Sequence, residues 1–545
     1  MIQRVLVANR GEIARRVFAT CRRLGIGTVA VYTEPDAASP HVSEADARVR
    51  LDGRNGYLDA AQLIDAARAS GADAIHPGYG FLSENAEFAA AVQKAGLTWI
   101  GPPVPAVQAM GSKIEAKKMM AAAGVPVLDE LDPDTVTAEQ LPVLIKASAG
   151  GGGRGMRVVR ELAELPGQVA AAQREAQSAF GDPTVFCERY LATGHHVEVQ
   201  VMADEHGTVW SVGERECSIQ RRHQKIVEEA PSPLVERTPG MRTKLFHAAR
   251  LAAEAIGYTG AGTVEFMASG SEGGAGDFFF IEMNTRLQVE HPVTEETTGL
   301  DLVELQLHVA AGGALEAEPP AARGHSIEVR LYAEDPAKNW QPQAGPIHHF
   351  EVPTTRTEFT LLGHAGVRVD SGVVDGSVVS IFFDPMLAKV ISYAPTRAGA
   401  AAILADALAR ARLHGITTNR DLLVNVLRHP AFLAGATDTA FFDTHGLAEL
   451  ARPIADAAAP RLSALAAALA DAAHNAASAT VLGGLPSGWR NLPSGYQTRR
   501  YVDASGEEHA VAYRFTRGGL ELADEESVVL VSSTPDRVVL ATNGV

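Results

Sequence analysis

The sequence predicts an α/β protein of several domains, with α+β parts. Near the N-terminus, short apolar runs with the pattern of buried strands lie at Val5 to Ala8, Thr28 to Tyr32 and Ala74 to His76. Between them, Ile13 to Leu24 and Ala60 to Ser70 carry the apolar spacing of helices. Because strands that alternate with helices pair in parallel, we expect a doubly wound, Rossmann-like unit here. A length of 545 residues exceeds what one core supports, so we expect further domains after it.

Changes of pattern divide the chain into five predicted segments. We place them at 1–112 (α/β), 113–325 (with a smaller subdomain at about 124–193), 326–446 (α+β, with a helix at Thr396 to His414), 447–486 (an Ala/Gly/Pro-rich helical linker) and 487–545 (a partial β-rich domain). The most apolar stretch, Leu462 to Ala479, is interrupted by Asp471 and His474. We therefore expect a helical connector there and no membrane span.

Composition excludes several classes of function. Apolar residues make up 46% and charged residues 21%, which is typical of a globular chain. A formal net charge of -17 argues against a nucleic-acid binder, because phosphate contacts need a basic surface. The chain opens with a buried strand and not with the pattern of a secretory signal. Cys21, Cys187 and Cys217 lack metal-ligand spacing and cannot all pair, so we expect buried thiols in a reducing cytoplasm.

The strongest local signal for chemistry is the glycine-rich segment LIKASAGGGGRGMRVV. Lys146 ends a predicted strand, and four consecutive glycines, including Gly151, Gly152 and Gly153, follow it. Glycines allow backbone N–H groups to approach phosphate oxygens closely. A Gly-Lys-Ser/Thr sequence does not follow, so the segment is not a P-loop. A flexible linker is the alternative, but the segment lies between two β-rich apolar runs.

A second signal is FIEMNTRLQVEHPVTE. With the period of a strand, Glu282, Asn284 and Arg286 project to one face, joined by Gln288 and Glu290 if the extended conformation persists. A solvated outer face is the alternative. The apolar run FFFI that precedes these residues indicates instead a buried strand whose polar end must have partners.

Carboxylates on two predicted strands suggest a metal site. The segment GAGTVEF places Glu265 at the end of one strand, near Glu282 and Asn284 on the other. Together they supply the oxygen ligands that Mg²⁺ prefers, with phosphate oxygens completing its shell. Two glutamates on separate strands are also common as surface groups or ion pairs, so the pattern leaves both interpretations open.

Five segments together resemble the biotin carboxylase family of ATP-grasp enzymes. They are VLVANRGEIARRV near the start, HPGYGFLSEN at 76–85, the glycine-rich segment, ERECSIQRRHQKIVEEAP at 214–231, and EMNTRLQVEHPVTE. The resemblance covers about residues 1–446. It implies an ATP-grasp fold with a Rossmann-like N-terminal domain, a mobile lid subdomain and an α+β C-terminal domain. It also implies a ligase that uses ATP, bicarbonate and Mg²⁺ (or Mn²⁺) to carboxylate biotin.

The resemblance implies a nucleotide site. Its expected members are Lys113 and Lys146 on the phosphates, Gly151, Gly152 and Gly153 in the lid, Glu188 and the Leu191 backbone at adenine, His196, Gln220 and His223 in the pocket wall, and Lys225 on the transferred phosphoryl group. Either histidine taken alone is more often a structural residue.

The resemblance also implies the reaction. Arg286, Gln288 and the Val289 backbone hold bicarbonate, and Glu290 removes its proton. Arg330, in HSIEVRLYAEDP, stabilises the biotin enolate, while the lid keeps water from carboxyphosphate. On its own, an arginine on a strand more often forms a structural ion pair.

Three residues depart from the family pattern. Ala149 stands where a fifth glycine is common, Arg189 where lysine often lies beside adenine, and Phe383 where tyrosine is usual. None of these changes removes a proposed reactive group.

The C-terminal segment indicates the context. SGWRNLPSGYQTRRY at 487–501 resembles the connecting domain of acyl-CoA carboxylase α-subunits, and no Ala-Met-Lys-Met-like biotinylation motif occurs in the sequence. We therefore expect the biotin to sit on a carrier outside these residues; a truncated chain and a separate carrier polypeptide both remain open. The implied partners are that carrier, a carboxyltransferase β-subunit, and a second copy in a homodimer or larger α/β complex, with no nucleic acid and no membrane.

Other functions remain open from the sequence. A pyruvate or urea carboxylase uses a related module. A different ATP-grasp ligase would share Lys146, Glu265 and Glu282 but need not contain Arg330. A non-catalytic assembly module would bind ATP without turnover.

Overall fold

Five parallel strands form the sheet that the N-terminal alternation predicts. Their order across the sheet is Ala47–Arg50, Gly27–Tyr32, Arg4–Val7, Ala74–His76 and Thr98–Trp99. The helix Gly11–Arg23 buries Ile13, Val17 and Phe18 against it, and the α/β prediction is confirmed. This computed structural model describes residues 2–148, 156–191, 193–221, 224–270, 276–489, 495–503, 506–523 and 528–542. They form two compact units, Met1–Arg452 and Pro453–Val545.

A nine-stranded sheet, named here the central sheet, is the framework of the first unit. Its strands lie in the order Phe278–Asn284, Gly260–Ser269, Gly194–Ala203, Val209–Arg221, Gln224–Ala230, His325–Tyr332, Met386–Ala394, Gly366–Ser371 and Thr355–Glu358. Neighbours pair antiparallel except the last two, which are parallel. Long strands such as Gly194–Ala203 are buried on both faces, which accounts for their apolar side chains and for the pairing of their polar ones.

A smaller antiparallel sheet lies within the predicted subdomain at 124–193. Its order is Glu130–Leu131, Val185–Arg189, Val143–Ala147 and Arg157–Val159. The helix Leu165–Phe180 packs on it, with Leu165 and Ala172 in the same apolar cluster as Val143 and Ile145.

The remaining helices of the first unit cover the two larger sheets and connect them. They are Pro40–Glu44, Ala60–Ser70, Ala86–Lys94, Val104–Met110, Lys113–Ala122, Pro233–Arg237, Met241–Ala255, His291–Thr298, Leu302–Ala310, Arg397–Arg410, Arg420–Arg428, Pro430–Leu433, Phe441–His445 and Leu447–Leu450. Short two-stranded pairs join Glu334–Asp335 to Gln341–Pro342, Gly345–Pro346 to Val378–Val379, and His349–Glu351 to Arg412–His414.

The helix predicted at Thr396 to His414 is shorter than expected. It ends at Arg410, because Ala411 adopts an extended conformation with φ -60° and ψ 137°. The next residues form the strand Arg412–His414, which pairs with His349–Glu351. The cross-strand pairing therefore overrides the helical pattern at this end.

The second unit has its own core. The helix Ala459–Ser478 packs its Leu465 and Leu469 with Val511 and Tyr513 of a three-stranded sheet. That sheet consists of Gln497–Val502, Glu508–Thr516 and Gly519–Leu522, and a hairpin of Val528–Ser533 and Val538–Thr542 follows. The Ala-rich segment expected as a connector is helical, but its apolar face belongs to this core. Among the described residues, no helix has both the length and the apolarity needed to cross a membrane.

Candidate active site

One large cleft brings the sequence-predicted residues together. It encloses about 1640 Å³. Its lining includes fifteen of them: Lys113, Lys146, Glu188, Leu191, His196, Gln220, Lys225, Glu265, Glu282, Asn284, Arg286, Gln288, Val289, Glu290 and Arg330. The remaining four, Gly151, Gly152, Gly153 and His223, lie outside the described residues. Residues that are up to 217 positions apart in the chain thus share one cavity wall.

Lys225 is the centre of the buried end of the cleft. Its Nζ lies 2.6 Å from Glu198, 2.9 Å from Glu265 and 2.6 Å from Glu290. These side chains come from three strands of the central sheet and from the turn before the helix His291–Thr298. One ammonium group therefore holds three carboxylates that would otherwise repel one another.

The electrostatics keep Glu290 ionised. Burial acts to raise the pKa of Glu290, but Lys225, Arg330 and Arg215 outweigh it and hold the pKa well below its ordinary value. The pKa of Glu265 is also lowered, because Lys225 and His196 outweigh its burial. Conversely, these carboxylates outweigh burial and raise the pKa of Lys225 well above its usual range. The Lys225 ammonium group and the Glu265 and Glu290 carboxylates are therefore charged.

Arg330 links this cluster to a second carboxylate. Its Nε lies 2.6 Å from Glu228, and its Nη2 lies 3.1 Å from the second oxygen of Glu290. Glu290 therefore accepts from Lys225 through one oxygen and from Arg330 through the other. The guanidinium is fixed at the wall of the cleft by charge-assisted bonds on two sides.

Arg286 is held by three side-chain acceptors at the mouth of the same site. It donates to Asn284 Oδ1 at 2.7 Å, to Gln288 Oε1 at 2.6 Å and to Glu84 Oε2 at 3.0 Å. The strand ends at Asn284, so the extended conformation does not persist to Glu290. A turn, and not strand alternation, brings Gln288 and Glu290 to the cleft.

The two predicted metal-ligating glutamates are cross-strand neighbours. Glu265 and Glu282 pair directly in antiparallel register, so their side chains share one face. Asn284 Nδ2 and Gln288 Nε2 each donate to Glu265, at 2.8 and 2.9 Å. Glu282 is paired with Lys113 at 3.1 Å. The set offers the hard carboxylate oxygens that Mg²⁺ takes, beside lysines suited to phosphate.

The opposite end of the cleft carries two lysines on one carboxylate. Lys146 Nζ lies 2.5 Å from Glu188, and Lys117 bonds the other oxygen of the same group. Burial acts to raise the pKa of Glu188, but both lysines outweigh it and lower that pKa. Glu188, which the family resemblance places at adenine, therefore forms an ion pair with Lys146, which the resemblance places at the phosphates.

Sequence reasoning missed several residues of this site. Glu198, Glu228, Glu84 and Lys117 bond the predicted residues directly. The sequence pattern could have identified Glu198, because it lies two residues after His196 and so projects to the same face of the buried strand Gly194–Ala203. Glu84 was not, because it reaches Arg286 across 202 positions of chain.

The three departures from the family pattern have separate outcomes. Phe383 contacts the Arg10 guanidinium at 4.2 Å and Tyr57 edge-on. Arg189 is exposed on the cleft edge, and Ala149 lies outside the described residues. The three cysteines are free and buried, as predicted.

Comparison with known proteins gives three adjoining family matches. Residues 1–107 match the biotin carboxylase N-terminal domain, residues 107–318 the ATP-binding domain of the carbamoyl-phosphate synthase L chain, and residues 328–444 the biotin carboxylase C-terminal domain.

Relatives that match most of the chain agree with these family matches. The chain is 46% identical over 461 residues to the biotin carboxylase of Halalkalibacterium halodurans, covering 82% of this chain and 98% of that one. It is 45% identical over 459 residues to the methylcrotonoyl-CoA carboxylase subunit alpha of Glycine max, covering 82% of this chain. The chain spans 61% of the length of that second relative.

A solved structure has the same architecture. The biotin carboxylase domain of Hydrogenobacter thermophilus 2-oxoglutarate carboxylase, in complex with MgADP, ADP and bicarbonate, superposes with a TM-score of 0.77 at 40% identity. The match covers 84% of this chain and 100% of that domain.

Proposed function

The chain belongs to the biotin carboxylase family, and from this premise we propose that it transfers carbon dioxide from bicarbonate to carrier-bound biotin at the expense of ATP. The observation that carries the proposal is the convergence of Lys225, Glu290, Arg330 and Arg286 on one cleft. A base, two guanidinium groups and a buried ammonium group there can hold an anion and stabilise developing charge.

ATP binds first in this proposal. Lys113 and Lys146 leave their glutamate partners and contact phosphate oxygens, and the glycine-rich segment with Gly151, Gly152 and Gly153 covers them. Glu188, Leu191, His196, Gln220 and His223 line the nucleotide site. The family pattern supports these assignments. For Glu188, Leu191, His196 and Gln220, their position in the cleft wall supports them as well.

Bicarbonate then attacks the γ-phosphate. Arg286, Gln288 and the Val289 backbone hold the anion, and Glu290 accepts its proton as the new O–P bond forms. The bond from the γ-phosphorus to ADP breaks, giving ADP and carboxyphosphate. Lys225 turns from the carboxylates toward the transferred phosphoryl group, which frees Glu290 from one of its two cationic partners and increases its basicity.

The biotin step completes the reaction. Carboxyphosphate breaks its C–O bond to give carbon dioxide and phosphate, and phosphate removes the ureido proton of biotin. The nitrogen then bonds to the carbon of carbon dioxide. Arg330 stabilises the enolate form of biotin, since it lies beside Glu290 where the carbon dioxide is released.

Glu265, Glu282 and Asn284 would hold Mg²⁺ or Mn²⁺. When bound, the ion would act as a Lewis acid and neutralise negative charge on the phosphates. The two cross-strand carboxylates fit this ion, because hard oxygen ligands on one face are what it prefers.

We propose an acyl-CoA carboxylase α-subunit as the context. The supports are the methylcrotonoyl-CoA carboxylase relative and the connecting-domain resemblance at 487–501. The proposed partners are a biotin carrier, a carboxyltransferase β-subunit and a second copy of the chain. We also propose the domain limits 1–112, 113–325 and 326–446, with 447–486 and 487–545 after them, and a cytoplasmic location, which suits three free thiols.

The test is ADP release by the purified chain with Mg²⁺, with and without bicarbonate. We expect ADP release to require bicarbonate, and radiolabelled bicarbonate to label free biotin slowly. Equal ADP release without bicarbonate would contradict the proposal. Turnover that needs another acid would indicate a different ATP-grasp ligase, and ATP binding without turnover would indicate an assembly module.

A further inference from the structure

Three buried carboxylate oxygens next to Arg330 have no hydrogen-bond partner among the residues that the structure describes. They are both oxygens of Glu328 and Oε2 of Glu228. Both residues have no exposed surface. A buried, ionised carboxylate without a partner is so unfavourable that such groups take up a proton instead.

The two carboxyl groups lie directly opposite each other. Glu228 on the strand Gln224–Ala230 pairs with Glu328 on His325–Tyr332 in antiparallel register. Opposed residues project to the same face with Cβ atoms about 5 Å apart. At that separation in a buried sheet, two carboxylates with no cation between them do not both remain ionised.

The nearby cations are already committed to other groups. Lys389 shares this face of the sheet, but its Nζ donates to the Val289 carbonyl at 2.9 Å and lies 3.3 Å from Glu12 and 3.8 Å from Asp370. Arg330 is bound to Glu228 Oε1 and to Glu290. Neither cation therefore supplies the missing partner of Glu328.

The helix His291–Thr298 covers the same face. Its Val293 packs with Ala230 and Ile391, which are sheet residues on either side of the glutamate pair. His291, at its first turn, uses Nδ1 on the Gln288 carbonyl. Apolar side chains therefore pack beside the two carboxyl groups, neither of which has exposed surface.

We propose that Glu228 and Glu328 share one proton, and that Glu328 is a positioning residue that holds Arg330 in place through this singly charged pair. One carboxylic O–H that donates across the two strands pairs two of the three orphaned oxygens, Glu228 Oε2 and one oxygen of Glu328. Burial raises the pKa of Glu228 to about 7 and raises that of Glu328 well above its ordinary value, which agrees with a retained proton.

The retained proton fixes the direction in which Arg330 is pulled. With one negative charge on the pair, Arg330 divides its donors between Glu228 and Glu290. A second charge would draw the guanidinium toward the pair and away from Glu290. The inference rests on the proposed function in one respect, that Arg330 acts on biotin.

Infrared spectroscopy tests the proton directly and needs no activity. In mildly alkaline buffer, the wild-type spectrum should contain the C=O band of a protonated carboxyl group. Glu328→Gln should remove this band, whereas Glu358→Gln, a matched change at an exposed position of the same sheet, should leave it. A wild-type spectrum without the band, or a band that survives Glu328→Gln, would overturn the proposal.

The pH profile of biotin carboxylation tests the positioning role. Wild-type kcat should fall about tenfold at alkaline pH as the shared proton is lost, and Glu328→Gln should lack this descending limb while staying within about threefold of wild type at neutral pH. An unchanged limb in Glu328→Gln would contradict the role. Absence of bicarbonate-dependent ADP release in the wild type would refute the proposed function instead, and the infrared result would still decide the proton.

Discussion

Two buried ionic clusters lie in the first unit and differ in their access to the cleft. The cleft cluster comprises Lys225, Glu198, Glu265, Glu290, Arg330 and Glu228; the closed cluster comprises Arg16, Arg368, Lys389, Glu295, Glu296 and Asp370. Arg368 donates four hydrogen bonds, which are shared among Asp370, Glu295 and Glu296. Among the described residues, the closed cluster contributes nothing to the cleft lining.

Residue type and burial alone do not distinguish the groups that we propose to react from those that we interpret as structural. Both clusters are rich in carboxylates and nearly sealed from bulk water. In the closed cluster each cation has a fixed set of partners, so losing one leaves buried charges unpaired. In the cleft cluster the partners can exchange for substrate oxygens, because the cavity adjoins them. Mutations should therefore affect stability in one cluster and rate in the other.

The largest expected effect is on rate in the cleft cluster. Glu290→Gln should lower bicarbonate-dependent ADP release by about 10² to 10⁴-fold, since an amide cannot accept the proton of bicarbonate. The melting temperature should change little. The matched control in the closed cluster is Glu295→Gln, which should lose stability and keep most of its rate per folded molecule. The comparison fails if the two variants show the reverse pattern.

The next effect is on stability in the closed cluster. Arg368→Leu should lower the free energy of unfolding by about 3 to 5 kcal/mol, because three buried carboxylates lose their shared cation. Denaturant unfolding measures this value, and kcat per folded molecule should be retained. A fully stable variant with lost kcat would place Arg368 in the reaction.

A smaller effect concerns the pH dependence of stability. Burial raises the pKa of Glu296 from 4.5 to about 7, although Arg368 opposes this. The folded protein then retains a proton that the unfolded chain has released, so this group lowers stability as pH rises through that window. Glu296→Gln should remove up to about 3 kcal/mol of this loss. Melting temperatures across the window test it: a variant whose difference from wild type does not grow with pH contradicts the assignment.

The smallest effect concerns anion binding. Arg286→Lys should raise the KM for bicarbonate about tenfold, or about 1.4 kcal/mol, because a lysine cannot reproduce the planar fork. The KM for ATP should stay the same. Steady-state kinetics with each substrate varied in turn measures the two KM values separately. A rise in the KM for ATP alone would indicate that Arg286 contacts the nucleotide and not bicarbonate.

Much of the fold was predictable because local patterns determine it. The alternation at residues 4–76 predicts the parallel sheet, and Lys146 lies on the buried strand Val143–Ala147 as expected. The end of the helix at Arg410 was not predictable, because pairing with His349–Glu351 is a long-range contact. The apolar face of Ala459–Ser478 likewise requires knowledge of the strands that it packs against.

The site was only partly predictable for the same reason. The family pattern indicates which side chains carry chemistry, and fifteen of them line one cleft. The ion-pair partners depend on three-dimensional register: Glu198 faces Lys225 from another strand, and Glu328 faces Glu228 across 100 positions of chain. Sequence spacing carries no information about such pairs.

The path of one oxygen atom tests the central claim most directly. If bicarbonate attacks the γ-phosphate beside Glu290, heavy oxygen from labelled bicarbonate must appear in the released phosphate, with one labelled atom in each phosphate. Mass spectrometry of that phosphate measures it. Phosphate that takes its new oxygen from water alone would show direct ATP hydrolysis and contradict the account.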